Sequence, residues 1–424
     1  MIALEYHPTP FRWVVCKAAG MVTRRAYCGV LSPLRLVRRP IPALPGPGWV
    51  RLRTILGGVC GTDLALITQR AHPATILQSF ASFPAVLGHE NVAAIDAVGV
   101  EVSGWPAGRR VCVEPALGCA ARGVEPPCRH CAEGRTSLCE AMASSEHDAE
   151  AVRPLPPRAM IGLNARTGGS WASYFVAHRS QLHAVPDGLS DEAAVLTDPL
   201  ASAAHAVLRR RPREGEQVLV NGSGIIALGL IAVLRTLGCA NRITAVVRHG
   251  FQAEIARRLG ADSVIEHRRQ AKPADRYDDI ARRIGGRRVS GRFGNQAMLG
   301  GFDLVYDCTG SGRGLTDVLK WARSRGSVVA VGTSGIALMD TTPLWFDEIE
   351  MIGANGRQVE TVDGRRVHGY DLVLEWMRSG GLDTALFPVT RFDLREYRAA
   401  FRQLLTRGRH PIVKAAFEPL RDGD

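Results

Sequence analysis

The sequence predicts an α/β protein in which a β-rich domain is combined with a doubly wound parallel sheet. A chain of 424 residues is long enough for two such domains, each with its own hydrophobic core. Short β-rich runs separated by Pro and Gly fill residues 24–60 and 86–114, which indicates antiparallel strands. From residue 190 apolar strands alternate with apolar helices, and this pattern is typical of a parallel sheet with helices on both faces.

A glycine-rich turn joins the first strand and helix of this second region. We expect strands at 217–221 and 243–247, and helices at 225–237 and 253–259. The turn fits a dinucleotide-binding fingerprint, because its glycines let the backbone approach a pyrophosphate at the positive end of the helix. The residues predicted to contact the cofactor here are Gly222, Gly224, Ile225 and Ile226.

A basic residue stands where many dinucleotide sites carry an acidic one. Asp or Glu at the end of the second strand usually binds the ribose hydroxyls. Val247 occupies that place here, and Arg248 follows it. A guanidinium accommodates a 2′-phosphate, so the pattern favours NADP over NAD. An ordinary surface arginine is the open alternative.

Four cysteines within 21 residues predict a structural metal site. Cys119, Cys128, Cys131 and Cys139 follow the spacing Cys-x8-Cys-x2-Cys-x7-Cys. A set of ligands that contains only thiolates suits a closed tetrahedral zinc that holds a lobe of the protein together. We name residues 119–139 the cysteine lobe.

A second set of possible ligands lies upstream and is mixed in character. Cys60 is followed by Thr62 and Asp63, and His89 stands next to Glu90. One sulfur, one imidazole and nearby carboxylates leave a zinc coordination position open to water or substrate, as Lewis-acid chemistry requires. We name Cys60, His89 and Glu90 the mixed site.

Composition excludes several classes of function. The net charge is +12, but the basic residues are scattered and their densest runs lack interleaved aromatics, so a nucleic-acid partner is not expected. No stretch of 18 apolar residues and no signal peptide is visible, so we expect no membrane partner. The cysteines fit metal ligation in a reducing compartment, and we predict a cytoplasmic protein.

The order of motifs resembles the zinc-containing medium-chain dehydrogenase/reductase family, which includes alcohol, polyol, threonine and glucose dehydrogenases. The resemblance covers nearly the whole chain from Met21. Besides the cysteine lobe and the glycine turn, it depends on Gly58-Val59-Cys60-Gly61-Thr62-Asp63, Leu87-Gly88-His89-Glu90, Gly169-Ser170-Trp171-Ala172-Ser173-Tyr174, Asp198-Pro199-Leu200-Ala201 and Asp307-Cys308-Thr309-Gly310.

The resemblance implies a GroES-like catalytic domain at 21–190 and 346–424 and a Rossmann domain at 191–345. Residues 1–20 are interpreted as a possible N-terminal extension or a misassigned start. The family also implies cofactor contacts at Gly332 and Thr333. A homodimer or homotetramer acting on a small alcohol or ketone is expected.

Site residues carry over from the family position by position. Cys60 and His89 resemble its catalytic zinc ligands, and Glu90 resembles a carboxylate that enters the coordination sphere when water leaves. Asp63 would orient His89, and Thr62 would pass a proton from the substrate hydroxyl. Asp198 stands where the polyol branch has a glutamate ligand, although an aspartate here could instead cap the following helix.

Three features depart from the family pattern. Ala65 replaces a histidine of the proton relay. The first gap in the cysteine lobe is eight residues where two are usual, so residues 120–127 must loop out. Residues 266–301 are interpreted as an insertion ahead of a strand at 302–307, and a merely tolerated surface insertion is as good an explanation as a functional one.

The predicted function is hydride transfer between NAD(P) and a secondary alcohol or ketone, with a polyol, sugar, cyclitol or amino alcohol as substrate and two zinc ions per chain. Two alternatives stay open. One is a zinc-independent NADPH reductase of activated double bonds from the same superfamily, although that branch normally lacks both cysteine motifs. The other is a non-catalytic, zinc-stabilised binding protein, for which a degenerate mixed site would be expected.

Overall fold

The structure is a computed structural model that describes residues 1–72, 74–76, 81–142, 155, 160–267, 273–332, 335–406 and 409–420. Its contacts divide the chain into two compact units. The first unit contains residues 1–198, 357–380 and 387–424, and the second contains residues 199–356 and 381–386. None of the described helices is long and apolar enough to cross a membrane.

The strands of the described residues follow one another along both units. In chain order they are β1 (Ile2–Tyr6), β2 (Leu34–Arg38), β3 (Trp49–Gly58), β4 (Ala85–Val86), β5 (Glu90–Val98), β6 (Arg110–Val113), β7 (Tyr174–His178), β8 (Leu182–Ala184), β9 (Val218–Asn221), β10 (Ile243–Val247), β11 (Ser263–Glu266), β12 (Arg287–Ser290), β13 (Gln296–Leu299), β14 (Phe302–Asp307), β15 (Ala322–Ala330), β16 (Glu350–Gly353), β17 (Val359–Val362), β18 (Arg365–His368), β19 (Val389–Asp393) and β20 (Lys414–Glu418).

The α-helices are interspersed among these strands. They are α1 (Pro10–Val22), α2 (Gly61–Ile67), α3 (Arg129–Ala132), α4 (Asp191–Ala194), α5 (Thr197–Arg209), α6 (Ile225–Thr236), α7 (Gly250–Arg258), α8 (Pro273–Ile284), α9 (Gly312–Trp321), α10 (Thr342–Phe346), α11 (Gly369–Ser379) and α12 (Tyr397–Leu405).

The first unit is built on a seven-stranded sheet. Its strands lie in the order β19-β20-β3-β5-β6-β8, and β7 pairs with β3. The C-terminal strand β20 thus lies beside β3, and the aromatic rings of Trp171, Phe401 and Phe417 pack together on the core, with Trp171 and Phe417 at a centroid distance of 5.2 Å. The antiparallel pairing of β3 with β5 puts Gly58 opposite Glu90. This register fixes where the two ligand-bearing segments meet.

The second unit contains the predicted doubly wound sheet. Six parallel strands lie in the order β11-β10-β9-β14-β15-β16. Strands β10 and β11 are added on one side of β9 and strands β14 to β16 on the other, so the strand order reverses beside β9. The apolar strands are buried because helices cover a parallel sheet on both faces. The predicted strand at 243–247 has the bounds of β10. Together with the sheet of the first unit, which is antiparallel except for the pair β19–β20, this confirms the predicted fold class.

The N-terminus requires a correction. Residues 1–20 were expected to be a possible extension, but β1 lies in a sheet between β2 and β4, with Leu4 and Tyr6 buried in the core. Between β1 and β2 the chain forms α1 and then a short 3-10 helix at Arg24–Cys28, at the start of the range 24–60 for which strands were expected. The alternation of Leu4 and Tyr6 with polar Glu5 is too short a pattern to distinguish a strand from a tail.

Residues 266–301, interpreted as an insertion, form an ordered structure where they are described. Helix α8 contributes Tyr277 and Ile280 to the core of the second unit, and Tyr277 contacts the ring of Trp321 at a centroid distance of 5.8 Å. Strands β12 and β13 pair as a separate antiparallel hairpin. The chain then enters β14, the strand predicted at 302–307.

Candidate active site

The mixed site forms where β3 ends and β5 begins. Cys60 follows β3 and is the N-cap of α2, while His89 precedes β5 and Glu90 is its first residue. Because Gly58 pairs with Glu90, the two segments deliver their side chains to one point. The ligand atoms of Cys60, His89 and Glu90 all lie within 4.8 Å of one another. A thiolate, an imidazole and a carboxylate at this separation fit a catalytic zinc.

Asp63 connects the two segments of this site, because its carboxylate contacts both Cys60 and His89. One carboxylate oxygen accepts a hydrogen bond of 2.9 Å from the backbone N–H of Cys60, and the other lies 3.5 Å from Nδ1 of His89. A carboxylate behind a ligating histidine fixes the orientation of its ring. Thr62 lies on the same turn, with its hydroxyl 3.6 Å from the Sγ of Cys60. The sequence-predicted neighbours of the mixed site are therefore brought together.

The charges at the mixed site favour a cation. Burial disfavours a protonated His89, but the negative charges of Asp63 and Cys60 outweigh burial and hold the pKa of His89 well above its ordinary value. Burial likewise raises the pKa of the Cys60 thiol, and His89 reverses that effect, so the net pKa is lowered. The anions that favour a proton on the ring equally favour a metal ion in its place.

Lys414 is a component of the site that sequence reasoning missed. It lies on β20, its ammonium group pairs with Glu90, and both side chains are 1% exposed. The same Nζ donates a hydrogen bond of 3.2 Å to the carbonyl of Val59. Burial lowers the pKa of Lys414 to about 8, against the opposing effect of Cys60 and Asp63. A lysine inside the apolar run from Ile412 to Phe417 was the available signal, since lysine is rarely buried without a partner.

Asp198 lies outside the group formed by Cys60, His89 and Glu90 among the described residues. The phenol of Tyr370 donates a hydrogen bond of 2.6 Å to its Oδ2, and Nε of Arg357 lies 3.2 Å from the same oxygen. Asp198 is in the first turn of α5, which begins one residue earlier, so it is not the N-cap of that helix. Its role as a fourth zinc ligand stays a prediction.

Arg357 extends this buried polar group to Glu114. Its guanidinium lies 3.7 Å from Oε1 of Glu114; the side chain of Arg357 is 12% exposed and that of Glu114 is 4% exposed. Burial raises the pKa of Glu114, although Arg357 opposes that effect. Neither Arg357 nor Tyr370 was predicted, because each is far along the chain from Asp198 and stands in no motif that marks a site.

The cysteine lobe has the geometry of a metal site. The Sγ atoms of its four cysteines lie within 4.8 Å of one another. Backbone N–H groups point at three of the sulfurs: those of Cys119, Cys128 and Ala141 lie 3.3–3.4 Å from Cys131, Cys119 and Cys139 respectively. Such donors stabilise thiolates, and although burial raises the pKa of Cys128, N–H groups around it lower the net value to about 7.

The long first gap of the lobe is a compact loop. Its first residues form a short 3-10 helix at Ala120–Arg122 that ends at Gly123. The side chain of Arg122 is 1% exposed and donates a hydrogen bond of 2.8 Å from Nε to the carbonyl of Leu117. The first half of the eight-residue gap is thus anchored to the backbone just before the lobe.

The glycine turn of the second unit fits a dinucleotide. Gly222 has φ +142°, and a Cβ there would lie 2.9 Å from that of Cys308. Gly224 caps α6 and faces open space, with nothing within 4 Å of a Cβ placed on it. The side chain of Gln252 fixes the turn through a hydrogen bond of 2.7 Å to the carbonyl of Ser223. Backbone N–H groups at an open helix terminus are suited to a pyrophosphate.

The remaining predicted cofactor residues are distributed around this turn. Arg248 is exposed directly after β10, and its guanidinium makes no ion pair or hydrogen bond within the described ranges. Gly332 follows β15, and a Cβ there would lie 2.3 Å from the backbone N of Gly310, so only glycine fits. Thr333 lies outside the described residues.

The fold and the two ligand sets define an oxidoreductase of the zinc-binding dehydrogenase class, and comparison with known families agrees. Residues 46–187 match the alcohol dehydrogenase GroES-like domain, and residues 226–366 match the zinc-binding dehydrogenase domain. The chain belongs to the zinc-containing medium-chain dehydrogenase/reductase family, as the motifs predicted.

Individual relatives are similar over most of their length. An L-threonine 3-dehydrogenase from Anaeromyxobacter sp. (strain Fw109-5) is 27% identical, covering 85% of this chain and 90% of that protein. An L-idonate 5-dehydrogenase from Vitis vinifera is 28% identical, covering 90% of each. The fold is shared with the 2R,3R-butanediol dehydrogenase from Bacillus subtilis, with a TM-score of 0.69, 22% identity, and coverage of 99% of this chain and 100% of that one.

Proposed function

We propose that this chain is a zinc-dependent dehydrogenase that transfers a hydride between NAD(P) and a secondary alcohol or its ketone. The observation that carries the proposal is the convergence of Cys60, His89 and Glu90, whose ligand atoms lie within 4.8 Å of one another. A bound zinc would lower the pKa of an alcohol hydroxyl, and a nicotinamide would accept the hydride.

The protein groups around the mixed site each have a task in this proposal. Asp63 fixes the ring of His89, and the ammonium group of Lys414 pairs with the carboxylate of Glu90 where both side chains are buried. The hydroxyl of Thr62, which lies beside the sulfur of Cys60, is placed to accept the proton that leaves the substrate. Ala65 stands where the family relay has histidine, so this proton leaves Thr62 without an imidazole at that position.

The proposed substrates are polyols, sugars, cyclitols and amino alcohols. Carboxylates at Glu90 and Asp198 resemble the site of the family branch that acts on such compounds, and relatives named for L-threonine and L-idonate support this range. The test is a panel of these alcohols with NAD+ and with NADP+, followed by the absorbance of the reduced nicotinamide. The Cys60→Ser variant serves as the blank. If zinc-loaded protein that binds the cofactor oxidises none of these alcohols, the substrate class is wrong.

Arg248 carries the proposed preference for NADP, because only NADP has a 2′-phosphate for its guanidinium. Arg248→Ala should weaken NADP binding by about tenfold or more, as expected for loss of a charge-assisted hydrogen bond, and leave NAD binding nearly unchanged. Arg257→Ala, which removes another exposed arginine of the same unit, is the matched control. Equal losses for both cofactors would assign Arg248 to the ordinary surface.

The alternatives explain fewer observations. A zinc-independent reductase of double bonds has no use for either ligand set, and a non-catalytic binding protein has no use for an intact mixed site. A homodimer or homotetramer and a cytoplasmic location stay predictions; light scattering of the purified protein tests the first.

A further inference from the structure

The hairpin formed by β17 and β18 holds Asp198 from both of its ends. Arg357 stands two residues before β17, and Tyr370 stands two residues after β18. The pairing of Val359 with His368 closes the base of the hairpin, so these two flanking residues leave it side by side. Both of them contact the same oxygen of Asp198, at 3.2 Å and 2.6 Å.

The same hairpin is fastened to the cysteine lobe. The backbone N–H of Val359 donates a hydrogen bond of 3.0 Å to the carbonyl of Gly134. The guanidinium of Arg366 donates one of 3.1 Å to the carbonyl of Glu133. A third bond of 3.3 Å joins the side chains of Gln358 and Ser137. All three contacts fall on the segment between Cys131 and Cys139, two of the four cysteines of the lobe.

The contact between Gly134 and Val359 leaves no room for a larger residue at position 134. A Cβ on Gly134 would lie 2.4 Å from Cγ2 of Val359 and 2.7 Å from its Cβ, so the side chain of Val359 packs directly on the backbone of the lobe at Gly134. The interior ion pair is equally demanding, because Arg357 and Asp198 have side chains only 12% and 6% exposed. A buried pair is stable only while its geometry is kept.

We propose that the cysteine lobe positions Asp198 through this hairpin, with Arg357 and Tyr370 as positioning residues. Metal binding by the four cysteines then fixes the position of residues 133–137. The hairpin bonded to this segment is fixed with it, so Arg357 and Tyr370 hold the carboxylate of Asp198 in one orientation. The inference adds to the proposed function by making the structural metal a determinant of the catalytic site. It rests on that function only for the effect on turnover.

The contact between Tyr370 and Asp198 can be observed directly. For this, 3-fluorotyrosine is introduced at position 370 of the zinc-loaded full chain. The fluorine chemical shift in the otherwise native protein marks a phenol bonded to Asp198, and the shift in Asp198→Ala marks a phenol without that bond. Gly134→Ala should move the resonance toward the released position, because the added methyl displaces Val359. Gly123→Ala is the matched control: both glycines have positive φ, +80° and +63°, but a Cβ at Gly123 meets nothing within 4 Å.

Arg366→Ala supplies a second variant without backbone strain, and we expect a smaller shift in the same direction. If both variants retain the native resonance, or if Gly123→Ala shifts it as much as Gly134→Ala does, the hairpin does not transmit the state of the lobe and the proposal is overturned. The resonance needs no substrate, so this outcome is separate from any failure of the proposed function. Where turnover is measurable, Gly134→Ala should lower kcat in the native background and have no further effect in Asp198→Ala.

Discussion

The cysteine lobe and the mixed site are two candidate metal sites assembled in different ways. The lobe takes four ligands from 21 consecutive residues, and two of them, Cys128 and Cys131, are partly exposed. The mixed site joins the ends of β3 and β5, and its charged neighbour Lys414 comes from the last strand. A local site can form wherever its loop closes, whereas the mixed site exists only after the sheet has formed.

The charges of the two sites differ as much as their assembly. In the lobe, three sulfurs accept hydrogen bonds from backbone N–H groups, although burial holds the pKa of Cys131 and of Cys139 above the ordinary value. At the mixed site, Glu90 and the neighbouring side chains of Asp63 and Lys414 are buried ionisable groups of both signs. Buried charges cost stability unless they are paired, and such groups concentrate where chemistry is done.

The largest expected contrast is between Cys60→Ser and Cys131→Ser. Cys60→Ser should lower turnover by about a thousandfold or more, because Lewis-acid assistance is worth several kcal/mol, while the unfolding midpoint changes little. Cys131→Ser should instead lower the unfolding midpoint strongly, since binding of a structural metal is itself folding free energy. Thermal unfolding and turnover measured on both variants check the contrast, which fails if the two respond alike.

Removing Lys414 should destabilise the first unit. Lys414→Met leaves the carboxylate of Glu90 buried without its cation, a change that costs about 3–5 kcal/mol in comparable pairs. The double variant with Glu90→Gln should recover much of this loss, because it removes the unpaired charge as well. Denaturant unfolding of the four proteins gives the coupling energy. Additive losses would mean that the ion pair contributes little.

Asp198→Asn tests whether Asp198 is a zinc ligand or only a residue at the start of α5. If the carboxylate completes the mixed site, the variant should retain zinc less well during dialysis against a chelator, and its turnover should fall. As a residue of the first turn of α5, Asp198 would lose only a favourable charge near the helix start, worth about 0.3–1 kcal/mol of stability, so unchanged metal content and turnover would reject the ligand role. Asp191→Asn, in the first turn of the short helix α4, is the matched control.

The smallest effect expected at neutral pH is at the base of the hairpin, where only the sensitivity of the protein to acid should change. Burial, together with the neighbouring His183, lowers the pKa of His368 to about 3. The unfolded chain takes up this proton near pH 6.5 and the folded one only near pH 3, so stability falls as the pH is lowered between these values. His368→Asn keeps an N-cap for α11 and should flatten this slope by at most about 1.4 kcal/mol per pH unit. Identical slopes would contradict the assignment.

The sequence predicted what local patterns encode. Strand β10 and the glycine turn follow from an apolar run and a glycine motif, and the cysteine lobe follows from spacing alone. Cys60 and His89 were predicted as ligands because each stands in a motif, and the structure brings their side chains together. Lys414, Arg357 and Tyr370 escaped prediction because their partners lie 324, 159 and 172 residues away, and no single segment records such a contact.

The N-terminal strand β1 shows the same limit on a smaller scale. Five residues pair with two strands that are remote in sequence, and helix α1 separates β1 from its first partner. Without those partners Ile2–Tyr6 has too little periodicity to identify. The fold class was predictable because it depends on repeated alternation, whereas isolated elements depend on tertiary pairing.

Metal content is the measurement that tests the account most directly. Elemental analysis of fully active protein should find two zinc ions per chain. Cys60→Ser and Cys131→Ser should each lose one of them, the first without unfolding and the second with a lowered unfolding midpoint. A fully active preparation that holds at most one zinc per chain would contradict the assignment of two sites with separate roles.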